Sequence, residues 1–136
     1  MLNKRVIPGI SKEALTEFQE SSSLIIRETV IRSLKREDEI VQHGDRAEEL
    51  LTKGLEFTAQ MLEAAMSLGE LPLLEDELLW AKDRLPHDGV KMEHVLVRLK
   101  IYRELIKESL QEEHTKEITP YLDWMIKRQE ELIQKG

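Results

Sequence analysis

Apolar residues recur at spacings of three and four over most of this 136-residue chain, and glycines, prolines and charged clusters punctuate the stretches. The pattern is plainest between Leu71 and Leu110. Leu71, Leu74, Leu78, Ala81 and Leu85 mark one helical face, which opens beside Pro72, a residue suited to the first helical position. Pro86-His87-Asp88-Gly89 supplies turn chemistry. Met92, Val95, Leu96, Leu99, Tyr102, Ile106 and Leu110 then mark a second, longer face. Both faces must leave water, so the spacing predicts an antiparallel helix pair that recruits the rest of the chain.

Upstream, Pro8-Gly9 stops any early helix. Ser11 is the expected N-cap of a helix carrying Ala14, Leu15 and Phe18. Ser21-Ser22-Ser23 is either a break or a polar patch on a helix that continues through Leu24, Ile25, Ile26, Val30, Ile31 and Leu34. After the charged run Lys35-Arg36-Glu37-Asp38-Glu39, Ile40 and Val41 are expected to return to the core, with Gly44 as a stop. Asp45 and Glu48 have the spacing of an acidic capping box, for a helix ending at Gly69. Its stripe of Ala47, Leu50, Leu51, Gly54, Thr58, Met61, Leu62, Ala65 and Leu68 is rich in small residues. Small side chains admit a neighbouring helix closely or leave room for a ligand, and close packing is the default.

Downstream, the polar residues 111–117 read as a short turn of helix, and Thr119-Pro120 as the N-cap and first position of a last helix. That helix carries Tyr121, Leu122, Met125, Ile126, Leu132 and Ile133. The whole predicts an all-α domain over 1–136, a globin-like fold or antiparallel bundle of five to six helices, with 120–135 an exit helix toward a further module.

Composition narrows this picture. Alternating β-branched and aromatic runs are missing, which removes the strand signal. The net charge of −7 resides in residues 42–90, where eleven acids face four bases. With no basic stripe, a nucleic-acid partner is not expected. No apolar run is long enough to span a bilayer, and the N-terminus has no signal-peptide core. Absence of cysteine excludes disulfides, thiolate nucleophiles and Cys-ligated metals, and suits a cytoplasmic protein.

Candidate chemistry is sparse. His43, His87, His94 and His114 include no pair at the helical i, i+4 metal spacing, and no Glu-x-x-His occurs, so neither a metal nor a cofactor is expected. Glu75, Asp76 and Glu77 are accounted for as acids favouring a helix N-terminus. No nucleophile motif or phosphate-binding glycine loop is present, so the chain reads as non-enzymatic. Met61, Met66 and Trp80 are candidates to line a ligand pocket, although Met at helical spacing is ordinarily core and Trp80 is ordinarily a core-edge anchor. Leu122, Met125, Ile126, Gln129 and Ile133 are the expected dimer or transmission surface, with Gln129 a polar residue able to set register.

The segment Leu78-Leu79-Trp80-Ala81-Lys82-Asp83-Arg84-Leu85-Pro86-His87-Asp88-Gly89-Val90, with its following helix and the exit sequence Tyr121-Leu122-Asp123-Trp124, resembles bacterial helical sensory domains. It is similar to the globin-like N-terminal domain of stressosome co-antagonists, which lacks haem and precedes a STAS module, and to the helical domain preceding cobalamin-binding modules. The resemblance is one of pattern over the second half of the chain, and it carries over no site residue. The first family implies a homodimeric sensor that relays a signal along its last helix to other regulatory proteins. The second implies a domain that binds a small molecule or cofactor.

Overall fold

The computed structural model describes residues 7–36 and 44–135, and among them the fold is all-α. Five helices are present: α1 (Lys12–Leu34), α2 (Ala47–Leu68), α3 (Leu71–Arg84), α4 (Met92–Ser109) and α5 (Glu112–Lys135). A 3-10 turn, Gly44–Arg46, precedes α2, and another, Leu85–Asp88, follows α3.

Contacts run from helix to helix in the order α1, α2, α3, α5, α4 and back to α1, and α5 also packs across this ring on α1 and touches α2. The core lies inside this ring. Its largest fully buried side chains are Phe18, Leu62, Tyr102, Ile106, Tyr121 and Leu122, together with their aliphatic neighbours. The expected α3–α4 pair does not form. These two helices make little direct contact, and α4 packs instead on α5 and α1. Sequence neighbours joined by a short turn commonly pair, but here the apolar stripe of α5 offers α4 a longer partner than the fourteen-residue α3.

The serine triplet is a polar patch, since α1 runs through it unbroken with Phe18 buried before it and Ile25 after it. The Asp45 capping box is not used. α2 begins at Ala47 after the 3-10 turn, and its N-cap Arg46 makes no side-chain cap bond. Leu68, at the last turn of α2, is 71% exposed and falls off the predicted stripe. The expected return of Ile40 and Val41 to the core lies outside the described residues.

Pro120 is not a helix start but lies inside α5. A proline there removes one backbone hydrogen bond and costs about 3 kcal/mol. Thr115 and Ile118 before it, and Tyr121 and Leu122 after it, are buried on one continuous face, and that burial outweighs the local preference.

Acids from α1 and α5 cap each other's helices. Ser11 Oγ accepts from Ala14 N–H at 3.2 Å as predicted, while Glu117 of α5 accepts from Ser11 N–H at 2.6 Å and from Ser11 Oγ at 2.9 Å. In return, Glu17 of α1 accepts from Gln111 N–H at 3.1 Å and pairs with His114. Each carboxylate thus meets donors at the positive end of the other helix.

Gly69 ends α2 with φ +69°, in the left-handed region. The N-terminal segment crosses it closely. Ile10 N–H donates to Met66 O at 3.0 Å, and a Cβ on Gly69 would lie 3.2 Å from Gly9 N and 3.4 Å from Ile7 O. Gly69→Ala is therefore expected to cost at least about 1–2 kcal/mol. Gly54→Ala, mid-helix with open space around the added Cβ, is expected to stabilise by up to about 1 kcal/mol. Urea midpoints of the two variants moving in opposite directions would establish this reading, and a neutral Gly69→Ala would refute it.

Candidate functional site

Where α3 and α4 diverge, a cavity of about 280 Å³ opens between α2, α3 and α4. Helical spacing delivers its walls. Gly54, Phe57 and Thr58 come from one face of α2, Glu77, Leu78, Trp80 and Ala81 from α3, and Val95, Arg98 and Leu99 from α4. Met125 of α5 completes the lining. The small residues of α2 serve the second of their two predicted uses here, since Gly54 leaves open space. Phe57 and Trp80 are both exposed and lean together with ring centroids 5.9 Å apart and planes 48° apart. Their separation is typical of an attractive aromatic pair.

Among the described residues, the one carboxyl group lining this cavity is that of Glu77, which is 8% exposed. Thr58 Oγ1 lies 2.9 Å from Glu77 Oε2 and 3.1 Å from Gly54 O. A hydroxyl has one proton and cannot donate to both acceptors at once. When Glu77 is neutral, its O–H donates to Thr58 Oγ1 and Thr58 donates to Gly54 O, so both contacts are served. Burial pushes the Glu77 carboxyl up to about 7, against the opposing pull of the Thr58 hydrogen bond. Glu77 Oε1 is buried and has no hydrogen-bond partner among the described residues. The Tyr102 hydroxyl is in the same condition, and its ionisation is pushed up first by burial and then by the nearby Glu77 charge.

A second concavity, of about 850 Å³, runs between α1 and α2. It is an open groove, with Ser22, Ser23 and Arg27 facing Glu48, Glu56 and Glu63. Volume favours it, but ligand sites are mostly apolar with a few convergent polar groups, and of these two the smaller cavity has the more apolar lining.

Among the residues singled out from sequence, Trp80 lies at the cavity and is 53% exposed, so it is not the core-edge anchor its neighbours implied. Met66 is fully buried in the core, Met61 is half-buried, and neither lines the cavity with Trp80. The expected dimer surface is corrected more strongly. Leu122, Met125 and Gln129 are each 0% exposed, because the apolar stripe of α5 is the bundle's own inner face. Gln129 Nε2 donates to Met92 O at 3.2 Å, tying α5 to the start of α4 instead of setting a register with a partner. Ile126 and Ile133 are half-buried.

Glu77 was missed by sequence reasoning. It sits in the second turn of α3, beyond the reach of a simple helix-dipole account. The signal was its register: Leu74, Glu77, Leu78 and Ala81 form one buried stripe, and Glu77 is the acid within it. Of the histidines, His94 is buried, His87 is exposed and His114 pairs with Glu17, while His43 lies outside the described residues. Among the described residues, no three His, Asp or Glu side chains gather where a metal ion could be held, and no helix is long and apolar enough to cross a membrane. Comparison with protein-family models, with curated proteins and with solved structures finds no match for this chain.

Proposed function

We propose that this chain is a non-enzymatic regulatory domain that takes up a small, mostly apolar molecule in the α2–α3–α4 cavity and passes the change to α5. The observation that carries this reading is a mostly apolar cavity between three helices, at a place where a bundle otherwise closes its helices on one another, with a buried carboxyl, Glu77, among its lining residues. Such a group destabilises the fold, and proteins keep such groups where function uses them.

Two contacts connect the cavity to the last helix. Met125 lines it directly. Arg128 of α5 grips Glu75 of α3 through two parallel hydrogen bonds of 2.8 Å, the bidentate geometry that holds orientation as well as charge. A ligand that moves α3 or Met125 therefore acts on α5. Regulation of this kind requires two packings that the ligand binds unequally. The reading keeps the outward relay expected from the resemblance to bacterial sensory domains. It moves the input to the cavity and leaves the half-buried Ile126 and Ile133 for a second copy or a following module.

Toluene is a suitable apolar probe. Saturable methyl NMR shifts at Leu78, Val95 and Leu99 are expected in the wild-type protein. They should be absent in Gly54→Leu, which removes a mid-helix glycine and grows into the open space. That variant gains helix propensity, so loss of binding cannot be ascribed to unfolding. A wild-type protein showing no saturable shift would sink the proposal.

A further inference from the structure

The charges around the cavity define one end of its occupant, granted the ligand-binding reading above. The lining divides by exposure. Lys53, Gly54, Phe57 and Trp80 are exposed, whereas Leu99 and Met125 are buried, so the mouth lies along the α2–α3 edge. Among the described residues, Lys53 is the one charged side chain exposed at that mouth. Its ammonium lies 3.8 Å from Glu49 Oε2, too far for a hydrogen bond, and both side chains are more than half exposed. An ammonium carries three N–H donors, so this loose pair leaves Lys53 able to take a second acceptor. The other charged groups of the lining do not oppose an anion. Arg98 is a buried cation engaged within the fold, and burial holds Glu77 neutral below about pH 7. Glu77 Oε1 and the nearby Tyr102 hydroxyl are closed to water, and neither is assigned a contact with the ligand.

We infer that the cavity takes an amphiphilic monoanion, with its apolar body between α2, α3 and α4 and its single carboxylate at the mouth, paired with Lys53. This orientation spares the carboxylate full desolvation, because at the mouth it keeps water on its open side. A cation seated there would meet Lys53 with no ionised acid in the lining to offset it. The volume of about 280 Å³, just below the range common for drug-sized ligands, calls for a short body. Within this assignment Lys53 is a specificity residue and Glu49 is the ligand's competitor for it. An exposed pair of this kind is individually weak, so the charge selects among apolar molecules of one shape and the apolar walls supply most of the affinity.

Hexanoate and hexylamine have chains of the same length and, at pH 6, opposite charges. Read from the same methyl NMR shifts at low ionic strength, hexanoate is expected to bind the wild-type protein about three- to tenfold more tightly than hexylamine, a gap that narrows at high salt. Glu49→Gln removes the competitor for Lys53 and should widen the gap. Lys53→Glu should reverse it in favour of hexylamine. Both side chains are exposed, so neither substitution threatens the fold. Gly54→Leu, which grows into the cavity, should lose both probes. Equal binding of the two by the wild-type protein, a preference for hexanoate that survives Lys53→Glu, or hexanoate binding that survives Gly54→Leu overturns the assignment. Toluene bound by the same protein would then leave the cavity a binding site for uncharged molecules. Failure of every probe, toluene included, overturns the ligand-binding reading itself.

Discussion

Glu77→Gln is expected to abolish a loss of about 3 kcal/mol in stability that the wild-type protein undergoes as pH rises from 4.5 to above 7. The sign follows from proton counting. In the unfolded chain the Glu77 carboxyl titrates near its ordinary value of 4.5, whereas in the folded protein burial holds it neutral to about 7. Between these values the folded state holds a proton that the unfolded state has released, so stability falls with rising pH. The contribution is fully present below 4.5 and is lost by the time the pH has passed through 7. A domain of this size has a total stability of roughly 5–15 kcal/mol, so the effect is a large share of it. His114 also sheds a favourable interaction as pH rises through its own raised value, held up first by the Glu17 hydrogen bond, but it is common to both proteins and cancels in the difference. Urea titrations at pH 4.5, 6, 7.5 and 8.5, read as midpoints at constant slope, measure the contrast. Parallel profiles for the two proteins would show that the Glu77 carboxyl is solvated in the folded protein and not held neutral by burial.

The same residue shows what a sequence of this kind discloses. Helices α3, α4 and the end of α2 are legible because each carries an apolar face at one period and a punctuating glycine or proline. Ser11 is legible because capping is local chemistry. Pro120 misleads for the opposite reason. Its local preference is a helix start, and the burial of Ile118, Tyr121 and Leu122 that overrides it belongs to contacts with distant segments. The partners of α4 are likewise not local information, so the nearest helix was the natural but mistaken choice. The cavity exists because α3 and α4 part, and no pattern within either helix records that separation. Trp80 could be singled out as large and apolar. Glu77 was hidden among Glu75 and Asp76, which share its charge but not its face.

Met125→Ala is expected to cost about 2–5 kcal/mol, the range for truncating a fully buried long side chain. The loss should be independent of protein concentration, because Met125 is enclosed by its own subunit. Had α5 used this face to hold a second copy, the same substitution would weaken association and make the unfolding midpoint rise with concentration. Ile133→Ala, on a half-buried side chain of the same helix, is expected to cost clearly less. Met125 also differs from its core neighbours in lining the cavity, so its truncation enlarges the space into which a ligand fits. A bulkier apolar probe such as naphthalene should therefore gain affinity relative to toluene in Met125→Ala, whereas Leu122→Ala, equally buried but away from the cavity lining, should destabilise without that gain. Urea titrations at two concentrations tenfold apart, combined with the paired probe titrations, separate the outcomes. A concentration-dependent midpoint would return Met125 to an intersubunit role. A gain for naphthalene in both variants would mean that general loosening of the core, and not the contact between α5 and the cavity, governs access to the site.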